Sequence, residues 1–169
     1  MNSDLRVVAA NPEDLETYVD LLEEVAEWLE SRGMGMVRPG TYRRFADYYA
    51  SSIAAQEVYV AFIDNNLVGS FRLIEDGGTV WPDAGDDALY LENLVVRRTW
   101  SGQGIGRRLL LMAEHHASHT GKSYLRLDCF ANNSVLRRYY ENAGYSSCGE
   151  IDADYPFGKL RLHRYQKTL

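Results

Sequence analysis

The segment from residue 89 to residue 119 places a glycine-rich loop between a β-rich run and an amphipathic helical pattern. Leu89 to Val96 has the aliphatic and aromatic residues typical of a buried strand, and the loop Ser101-Gly102-Gln103-Gly104-Ile105-Gly106 comes soon after it. Apolar residues then recur at helical spacing, at Ile105, Leu109, Met112, Ala113 and Ala117. A strand, a glycine loop and a helix in this order predict an α/β fold with backbone N–H groups that face an anion.

The charges around the loop favour a phosphate as that anion. No acidic residue occurs from Asn93 to Ala113, although the whole chain has a net charge of −6. The same stretch contains the cations Arg97, Arg98, Arg107 and Arg108. Two nucleotide motifs fit poorly, because Arg107 stands where the dinucleotide fingerprint needs glycine or alanine and no Gly-Lys-Ser/Thr sequence completes a P-loop. A glycine cluster that is only a turn is the competing interpretation.

The remaining sequence predicts further strands and helices. Strands are predicted at Leu5 to Ala9, Val58 to Ile63, Leu67 to Ile74, Tyr124 to Cys129, Tyr145 to Ile151 and Leu160 to Tyr165. The turn-forming residues Asp64-Asn65-Asn66 between the second and third of these strands predict an antiparallel hairpin. Helices are predicted from Asn11-Pro12 to near Gly33, from Pro39-Gly40 to about Ala55, and from Ser134 to Asn142. We therefore expect one domain, residues 1–169, of mixed α/β (α+β) architecture, with a central sheet of about six to seven strands and about four helices.

Composition makes several classes of function improbable on physical grounds. The acidic balance and the pI near 5.2 differ from the basic surface that nucleic-acid binding requires, and they suit a cationic substrate better. No run reaches the roughly 18 to 20 apolar residues of a membrane span, and Met1-Asn2-Ser3-Asp4 does not resemble a secretory signal. We expect a cytoplasmic protein with no nucleic-acid or membrane partner.

The cysteines and histidines do not predict a metal site. Cys129 and Cys148 lack Cys-x-x-Cys spacing, which favours free thiols in a reducing compartment. His115 and His119 share a helix face, yet the sequence has no His-Glu-x-x-His pattern. Surface histidines are therefore the preferred interpretation, and no metal is expected.

Two ordered motifs carry a resemblance to a known family. The first is the run Leu89 to Val96 with Gly102-Gln103-Gly104-Ile105-Gly106 after it. The second is Asn133, followed seven residues later by Tyr140 and then by Glu141-Asn142-Ala143-Gly144-Tyr145. The pair resembles the acetyl-CoA signature and the Asn…Tyr-x-x-x-Gly-aromatic segment of the GNAT superfamily of N-acetyltransferases. The motifs cover residues 89 to 145, and the flanking elements follow the order of that family.

The resemblance implies acetyl-CoA as cosubstrate and no metal. Pantetheine is expected beside the strand that ends at Val96, in an opening toward Tyr124 to Asp128, and the pyrophosphate is expected on the loop backbone. The implied cofactor-binding residues are Leu94, Val95, Val96, Gly102, Gln103, Gly104, Ile105, Gly106, Arg107 and Asn133. Ser101 departs from the family, which usually has Arg or Gln there. A helix cap is an alternative role for Ser101, which leaves Arg107 or Arg108 to supply charge.

The resemblance also implies a mechanism in which a primary amine attacks the thioester directly within a ternary complex. Tyr140 aligns with the general acid of the family, and a phenol with a pKa of about 10 is protonated at neutral pH. Glu92 occupies a position from which some members direct a catalytic carboxylate, often through water. A packed aromatic for Tyr140 and a structural carboxylate for Glu92 are the competing interpretations. The backbone N–H near Leu94 would polarise the thioester carbonyl.

The acceptor amine is less defined than the donor, and both a small molecule and a peptide amine are open. Asp128 is a candidate for the acceptor cleft or for a turn. Family analogy nominates an aromatic and acidic group of residues, namely Glu24, Trp28, Tyr42, Asp83, Asp152, Asp154, Tyr155 and Phe157. A non-catalytic acyl-CoA-binding sensor or interaction module is the alternative function, and a nucleotide-binding protein is a third. The oligomeric state, a homodimer included, is open.

Overall fold

The structure is a computed structural model that describes residues 4–82 and 85–169. Its strands in these ranges are β1 (Arg6–Ala9), β2 (Val58–Ile63), β3 (Asn66–Ile74), β4 (Ala88–Val96), β5 (Tyr124–Phe130), β6 (Ser146–Tyr155) and β7 (Gly158–Thr168). Its α-helices are α1 (Leu15–Ser31), α2 (Thr41–Arg44), α3 (Ala46–Ala54), α4 (Ile105–His119) and α5 (Ser134–Asn142). Short 3-10 helices span Pro12–Asp14 and Arg98–Trp100. No helix within the described ranges has the length and apolar character needed to cross a membrane.

The strands form one mixed sheet in the order β1-β2-β3-β4-β5-β7-β6. β4 and β5 are parallel, with a register that runs from Ala88 opposite Tyr124 to Leu91 opposite Leu127. The pairs β1–β2, β2–β3, β5–β7 and β6–β7 are antiparallel. The predicted mixed α/β fold is confirmed, but five helices replace the expected four, because the backbone at Phe45 (φ −104°, ψ 28°) separates α2 from α3.

The chain divides into two compact units. The first unit comprises the chain up to Arg72 together with Asn93–Met112, and the second comprises Leu73–Glu92 and Ala113–Leu169. The predicted glycine loop belongs to the first unit. Tyr140 and Glu92 belong to the second unit.

The first unit is built on α1, which packs its apolar face against the neighbouring strands. Asn11 starts this region, because its side chain accepts a hydrogen bond from the Glu13 N–H (3.0 Å) and the Asp14 carboxylate accepts one from the Asn11 N–H (2.9 Å). This reciprocal cap agrees with the helix start predicted at Asn11-Pro12. The core residues of α1, β2 and the adjacent segments are buried, notably Tyr18, Val19, Leu21, Leu22, Ile53, Val58 and Val60.

The β2–β3 hairpin follows the sequence prediction. Asp64 and Asn65 have φ values of 47° and 63°, and Ile63 pairs with Asn66 across the turn. Positive φ at both central residues defines the two-residue turn whose twist matches a hairpin. Asp and Asn tolerate this conformation better than most residues. The turn can therefore be predicted from sequence.

The β6–β7 hairpin of the second unit is longer than predicted. The sequence predicts that one strand ends at Ile151 and that the next begins at Leu160, whereas the ladder continues to Tyr155 opposite Gly158. Asp152 lies opposite Arg161 and forms an ion pair of 3.0 Å with it, and Asp154 and Lys159 form a second pair of 3.7 Å. Opposite charges that face each other across two strands stabilise pairing. Such pairs depend on register, which a single strand sequence does not contain.

Candidate functional site

The glycine loop has a backbone conformation that only glycine adopts readily. Gly102 and Gly104 have φ values of 77° and 76°, and a Cβ built at either residue would meet no atom within 4 Å. Conformation rather than crowding therefore requires glycine at both positions. The helix α4 begins at Ile105, and the Gly104 carbonyl accepts a hydrogen bond from the Arg108 N–H (3.2 Å).

Six successive backbone N–H groups, from Gly102 to Arg107, donate to no described residue. The first N–H groups of an α-helix have no acceptor within the helix, and a bound anion satisfies them well because the helix dipole adds positive charge at this end. Glycine leaves the backbone accessible for close approach. The donor set and its accessibility fit the pyrophosphate of coenzyme A.

Ser101 does not cap α4. It terminates the 3-10 helix Arg98–Trp100, and Gly104 directly precedes the first residue of α4. The alternative role predicted for Ser101 is therefore wrong, because Ser101 lies three positions before the capping position. Arg107 and Arg108 are exposed in the first turn of α4 and form no ion pair within the described part of the chain. Their charge is available to an anion at the loop.

The segment between β4 and the loop is held by side chains of α1. Glu24 accepts hydrogen bonds from the Arg97 guanidinium (2.6 Å) and from the Arg98 N–H (2.8 Å). The Arg98 guanidinium lies 3.6 Å from the centre of the Trp28 ring, a cation–π contact. Two of the four predicted loop cations, Arg97 and Arg98, therefore have structural partners. The same contacts engage Glu24 and Trp28, which the sequence nominated for the acceptor.

β4 contains a backbone irregularity just before the predicted pantetheine-binding residues. Asn93 has a φ of 49°, and its side-chain amide donates to the Tyr18 hydroxyl (3.3 Å). Left-handed residues inside strands mark bulges that re-aim the chain. Leu94, Val95 and Val96 follow as half-buried residues. The only sequence sign of the bulge is the tolerance of asparagine for positive φ, which is too common in loops and turns to predict it.

Tyr140 lies on α5, in the second unit, with 6% of its surface exposed. Its ring contacts Tyr139, Tyr145 and Tyr165, at centroid distances of 5.3, 6.0 and 6.1 Å. Burial is the main cause that raises the pKa of the Tyr140 phenol above its ordinary value, with smaller contributions from Cys129, Tyr139 and Asp128. The hydroxyl forms no hydrogen bond with the residues that the structure describes. A protonated and uncommitted hydroxyl is suited to donate to a leaving group.

Tyr140 packs on one face of β5. Tyr165, its ring neighbour, pairs with Leu127 across the β5–β7 ladder. The Tyr165 hydroxyl donates to Glu141 (2.8 Å) and accepts from the Arg137 guanidinium (3.4 Å), which ties β7 to α5. Residues that face each other in an antiparallel pair point to the same side. Tyr140 therefore belongs to the side of β5 that carries Leu127.

Glu92 and Asp128 lie on the other face of the same strands. They follow Leu91 and Leu127, the last pair in the parallel register of β4 and β5. Along β5 burial alternates, with Leu125, Leu127 and Cys129 buried and Asp128 half-buried between the last two. Burial first, and the negative charge of Glu92 second, raise the pKa of the Asp128 carboxyl to about 7. From sequence, Asp128 is a candidate only for the acceptor cleft or for a turn, and no sequence pattern links it to Glu92.

Comparison with known proteins identifies the family. The model of the acetyltransferase (GNAT) family matches residues 22–145. The chain belongs to the GNAT family. The relative YesJ of Bacillus subtilis (strain 168), described as an uncharacterized N-acetyltransferase, is 32% identical over 148 residues, which cover 85% of this chain and 82% of YesJ.

Solved structures share the GNAT fold. A GNAT-family acetyltransferase from Listeria monocytogenes 4b F2365 has a TM-score of 0.76 and 23% identity, covering 98% of this chain and 95% of its own. The PaiA N-acetyltransferase from Thermoplasma acidophilum, solved in complex with coenzyme A, has a TM-score of 0.70 and 18% identity, covering 98% and 99%. The resemblance seen in the two sequence motifs is confirmed, and coenzyme A is a ligand of a structural neighbour.

Asn133, the first residue of the second GNAT motif, has a structural partner in this chain. It is 5% exposed, and its side-chain oxygen accepts a hydrogen bond from the Leu136 N–H (3.1 Å) at the start of α5. Aspartate and asparagine commonly cap helices in this way. The oxygen of Asn133 is therefore engaged, and its predicted contact with the cosubstrate would use the amide nitrogen.

The histidines of α4 form a surface cluster. His115 and His119 have ring centroids 3.9 Å apart, and His119 Nδ1 lies 3.1 Å from the His115 carbonyl oxygen. Burial, followed by the charges of His115 and His119, lowers the pKa of His116. Residues 4–82 and 85–169 contain no group of three or more histidine, cysteine, aspartate or glutamate side chains arranged to hold a metal.

The nominated acceptor residues have different surroundings. Tyr42 packs on Tyr49 at 5.8 Å between ring centroids, in the first unit. Asp152 and Asp154 are paired with cations of β7, as described above. Tyr155 and Phe157 stack at 5.2 Å at the tip of the β6–β7 hairpin. Asp83 lies outside the described residues.

Proposed function

We propose that the protein transfers the acetyl group of acetyl-CoA to a primary amine of a small molecule or a peptide, by direct attack within a ternary complex. The observation that carries this proposal is Tyr140, a buried phenol whose hydroxyl forms no hydrogen bond within the described fold. Membership of the GNAT family supports the reaction class. Bound acetyl-CoA supplies the activated acetyl group as a thioester.

The backbone of the loop binds the anionic part of the cosubstrate. The N–H groups of Gly102, Gln103, Gly104, Ile105, Gly106 and Arg107 supply the donors, and Arg107 adds positive charge. Leu94, Val95 and Val96 offer the backbone groups that follow the bulge at Asn93, which suits hydrogen bonding to pantetheine. The amide nitrogen of Asn133 is a further donor.

Tyr140 acts as the general acid. A thiolate must leave when the amide bond forms, and proton donation to it prevents the reverse attack on the new product. The Tyr140 hydroxyl is protonated throughout the neutral range, because an ordinary phenol has a pKa of about 10 and burial raises the pKa of Tyr140 further. The donor is thus in its reactive form whenever the thiolate departs.

A carboxylate acts on the acceptor. Aliphatic amines are ammonium ions at neutral pH, since their pKa values lie near 10, and an ammonium nitrogen has no lone pair for attack. Glu92 is the residue that the family resemblance nominates as base, directly or through water. The negative charge of Glu92 and of its neighbour Asp128 also favours a cationic acceptor.

Replacement of Tyr140 by phenylalanine tests the proposed acid. We expect kcat to fall by about 100-fold or more, because general acid catalysis typically contributes factors of that size. Affinity for coenzyme A should change little, since the ring packing is retained. The measurement combines calorimetric titration of coenzyme A with turnover of an amine panel: polyamines, amino acids, aminoglycosides and peptides with a free α-amine.

Tyr139→Phe serves as the matched control, because it removes a hydroxyl from the adjacent residue of the same helix. Turnover of the Tyr140→Phe variant that equals wild type at saturating substrates from pH 6 to 9 would remove Tyr140 from the acid role. Tight coenzyme A binding by the wild type, with no acetylation of any amine in the panel, would instead favour the acyl-CoA-binding module.

A further inference from the structure

The carboxylates of Glu92 and Asp128 are brought together by the register of two parallel strands. Leu91 pairs with Leu127, and the next residue of each strand is acidic. Neighbouring strands lie about 4.8 Å apart, and residues at the same level of a parallel pair point to the same face. Glu92 and Asp128 are thus adjacent on the face of β5 opposite Tyr140. Both belong to the second unit.

Arg126 and Arg164, two cations on this face, are engaged by groups other than Asp128. Arg126, two residues before Asp128, donates to Gln166 (2.7 Å) and to the Tyr90 hydroxyl (3.1 Å). Arg164, which pairs with Asp128 across the β5–β7 ladder, directs its guanidinium to the Cys148 carbonyl (3.1 Å). Asp128 itself forms no hydrogen bond or ion pair with any residue in the described ranges.

The groups around Asp128 therefore disfavour a second negative charge. Glu92 contributes repulsion from β4, and Cys129 and Tyr140, on the other face, are themselves neutral acids. Two neighbouring carboxyl groups hold one proton more tightly than an isolated carboxyl does. Asp128 is the half-buried member of the pair that takes up this proton near neutral pH.

We propose that Asp128 accepts the proton of the substrate ammonium and that Glu92 acts as a positioning residue, whose charge adds to the burial of Asp128 in making that carboxylate basic. The inference rests on the proposed acetyl transfer and assigns the base within it. A base poised near the working pH combines an available carboxylate with a strong tendency to accept a proton.

The proton balance closes with residues of this chain. One proton of the ammonium passes to the Asp128 carboxylate and then to solvent, which frees the nitrogen lone pair for attack on the acetyl carbon. As the carbon–sulfur bond breaks, Tyr140 gives its phenolic proton to the sulfur. The second nitrogen proton is lost as the amide forms, and it restores the Tyr140 phenol through water. The products are the acetamide, the coenzyme A thiol and one proton released to solvent.

The placement of the two groups supports this division of roles. Asp128 and Tyr140 lie on opposite faces of β5, so a proton acceptor and a proton donor are separated by one strand. An amine that attacks a carbonyl and the group that leaves it occupy different sides of the reacting carbon. One strand therefore presents the base toward the amine and leaves the acid for the sulfur.

The pH dependence of kcat/KM in three proteins tests the assignment. Wild type should lose activity below about pH 7, with a tenfold fall per pH unit, as Asp128 becomes protonated. Asp128→Asn should lower kcat/KM at pH 8 by about 100-fold or more and abolish this acidic limb. Glu92→Gln should lower kcat/KM less and move the acidic limb to lower pH, because removal of a negative neighbour makes Asp128 a stronger acid.

Asp64→Asn is the matched control, since it removes a carboxylate in the exposed β2–β3 turn where asparagine also accepts positive φ. Coenzyme A affinity, measured by calorimetry, verifies that each variant is folded. Titration of 13C-labelled aspartate carboxyls by NMR provides a readout independent of turnover. A resonance that titrates near pH 7 in wild type should be missing from Asp128→Asn.

The opposite pattern would overturn the proposal. If Glu92→Gln abolishes the acidic limb and Asp128→Asn merely shifts it, Glu92 is the base. If Asp128→Asn fails to fold, the shift or loss of the limb in Glu92→Gln still decides between the two. A wild-type protein that binds coenzyme A and has a carboxyl titrating near pH 7, yet acetylates no amine, refutes the proposed function rather than the existence of the pair.

Discussion

Asp128 and Cys129 are successive residues of β5 that face opposite sides, and each binds its proton more tightly than it would in water. Burial first, and the negative charge of Asp128 second, raise the pKa of the Cys129 thiol to about 12. The thiol is therefore protonated and unreactive at neutral pH. Asp128 differs because its pKa reaches the neutral range, where a change of one pH unit alters its charge. Burial on β5 thus makes Cys129 inert, whereas Asp128 responds to pH.

The raised pKa of Asp128 predicts a pH-dependent cost to stability. Between about pH 4 and pH 7 the folded protein holds a proton on Asp128 that the unfolded chain releases, so the free energy of unfolding falls as pH rises through this window. Asp128→Asn removes the ionisation. We expect it to stabilise the fold at pH 8 by about 1–2 kcal/mol, or roughly 3–6 °C in Tm, and by less at pH 5.

Thermal melts of wild type and Asp128→Asn at pH 5 and pH 8 provide the measurement. Asp64→Asn, in an exposed turn, should give the same Tm difference at both pH values. A stabilisation of Asp128→Asn that is equal at the two pH values, or larger at pH 5, would contradict an Asp128 carboxyl that ionises near neutrality.

The N-terminal end of α4 is an element whose function depends on backbone conformation. We expect Gly104→Ala to weaken coenzyme A binding by about tenfold or more, because strain at positive φ turns N–H donors away from the phosphate and charge-assisted hydrogen bonds are lost. The same strain should cost about 1–2 kcal/mol of stability. Calorimetry gives the affinity, and chemical denaturation gives the free energy of unfolding.

Gly121→Ala is the matched control for this element. Gly121, beyond the other end of α4, has a φ of 81°, and a Cβ there would also meet no atom within 4 Å. The two substitutions should therefore destabilise the protein similarly, while Gly121→Ala leaves coenzyme A affinity unchanged. Equal losses of affinity in both variants would mean that the loop donors do not hold the phosphate.

Local signals made several elements predictable from sequence, and non-local pairing limited the rest. Asn11-Pro12 and the Asp64-Asn65 turn encode their conformation in a few adjacent residues, and both were predicted. The strands predicted from sequence stop short of the tip of the β6–β7 hairpin, because the pairing of Asp152 with Arg161 and of Asp154 with Lys159 is non-local. The break at Phe45 between α2 and α3 could not be predicted, because no glycine or proline lies at that residue.

The candidate site also contains residues that local motifs predict and residues that only non-local pairing brings together. The glycine loop and Tyr140 stand in motifs that can be read along the chain, although their roles remain predictions. Glu92 and Asp128 are neighbours because Leu91 of β4 pairs with Leu127 of β5, 36 positions later in sequence. No local sequence pattern predicts this pairing. The bulge at Asn93 depends on a contact with Tyr18, 75 residues earlier. Sequence therefore indicated the donor side more fully than the base.

At the scale of the whole molecule, the net charge of −6 predicts an effect of salt on the acceptor. A negative protein attracts multivalent cations at low ionic strength, and screening shortens this attraction to about 10 Å at 0.1 M salt. For amines that are substrates, we expect kcat/KM of a trivalent amine to fall about tenfold between 0.05 and 0.5 M NaCl. That of a monovalent amine should fall by only about twofold.

Steady-state kinetics at a saturating concentration of acetyl-CoA separate this effect from donor binding. An uncharged solute at equal osmolarity serves as the control, because it changes viscosity and water activity without screening charges. Equal salt dependence for the trivalent and the monovalent amine would show that the overall field of the protein does not guide the acceptor.

The six main-chain donors at the start of α4 have a consequence for how such a protein can diversify. Binding of a ligand by the main chain constrains few side chains. It requires two glycines in the left-handed region and a helix that begins directly after them. Side chains that contact the acceptor can therefore be substituted during evolution while binding of the donor is retained. The same main-chain binding site for the acetyl donor can thus be combined with many different acceptor sites.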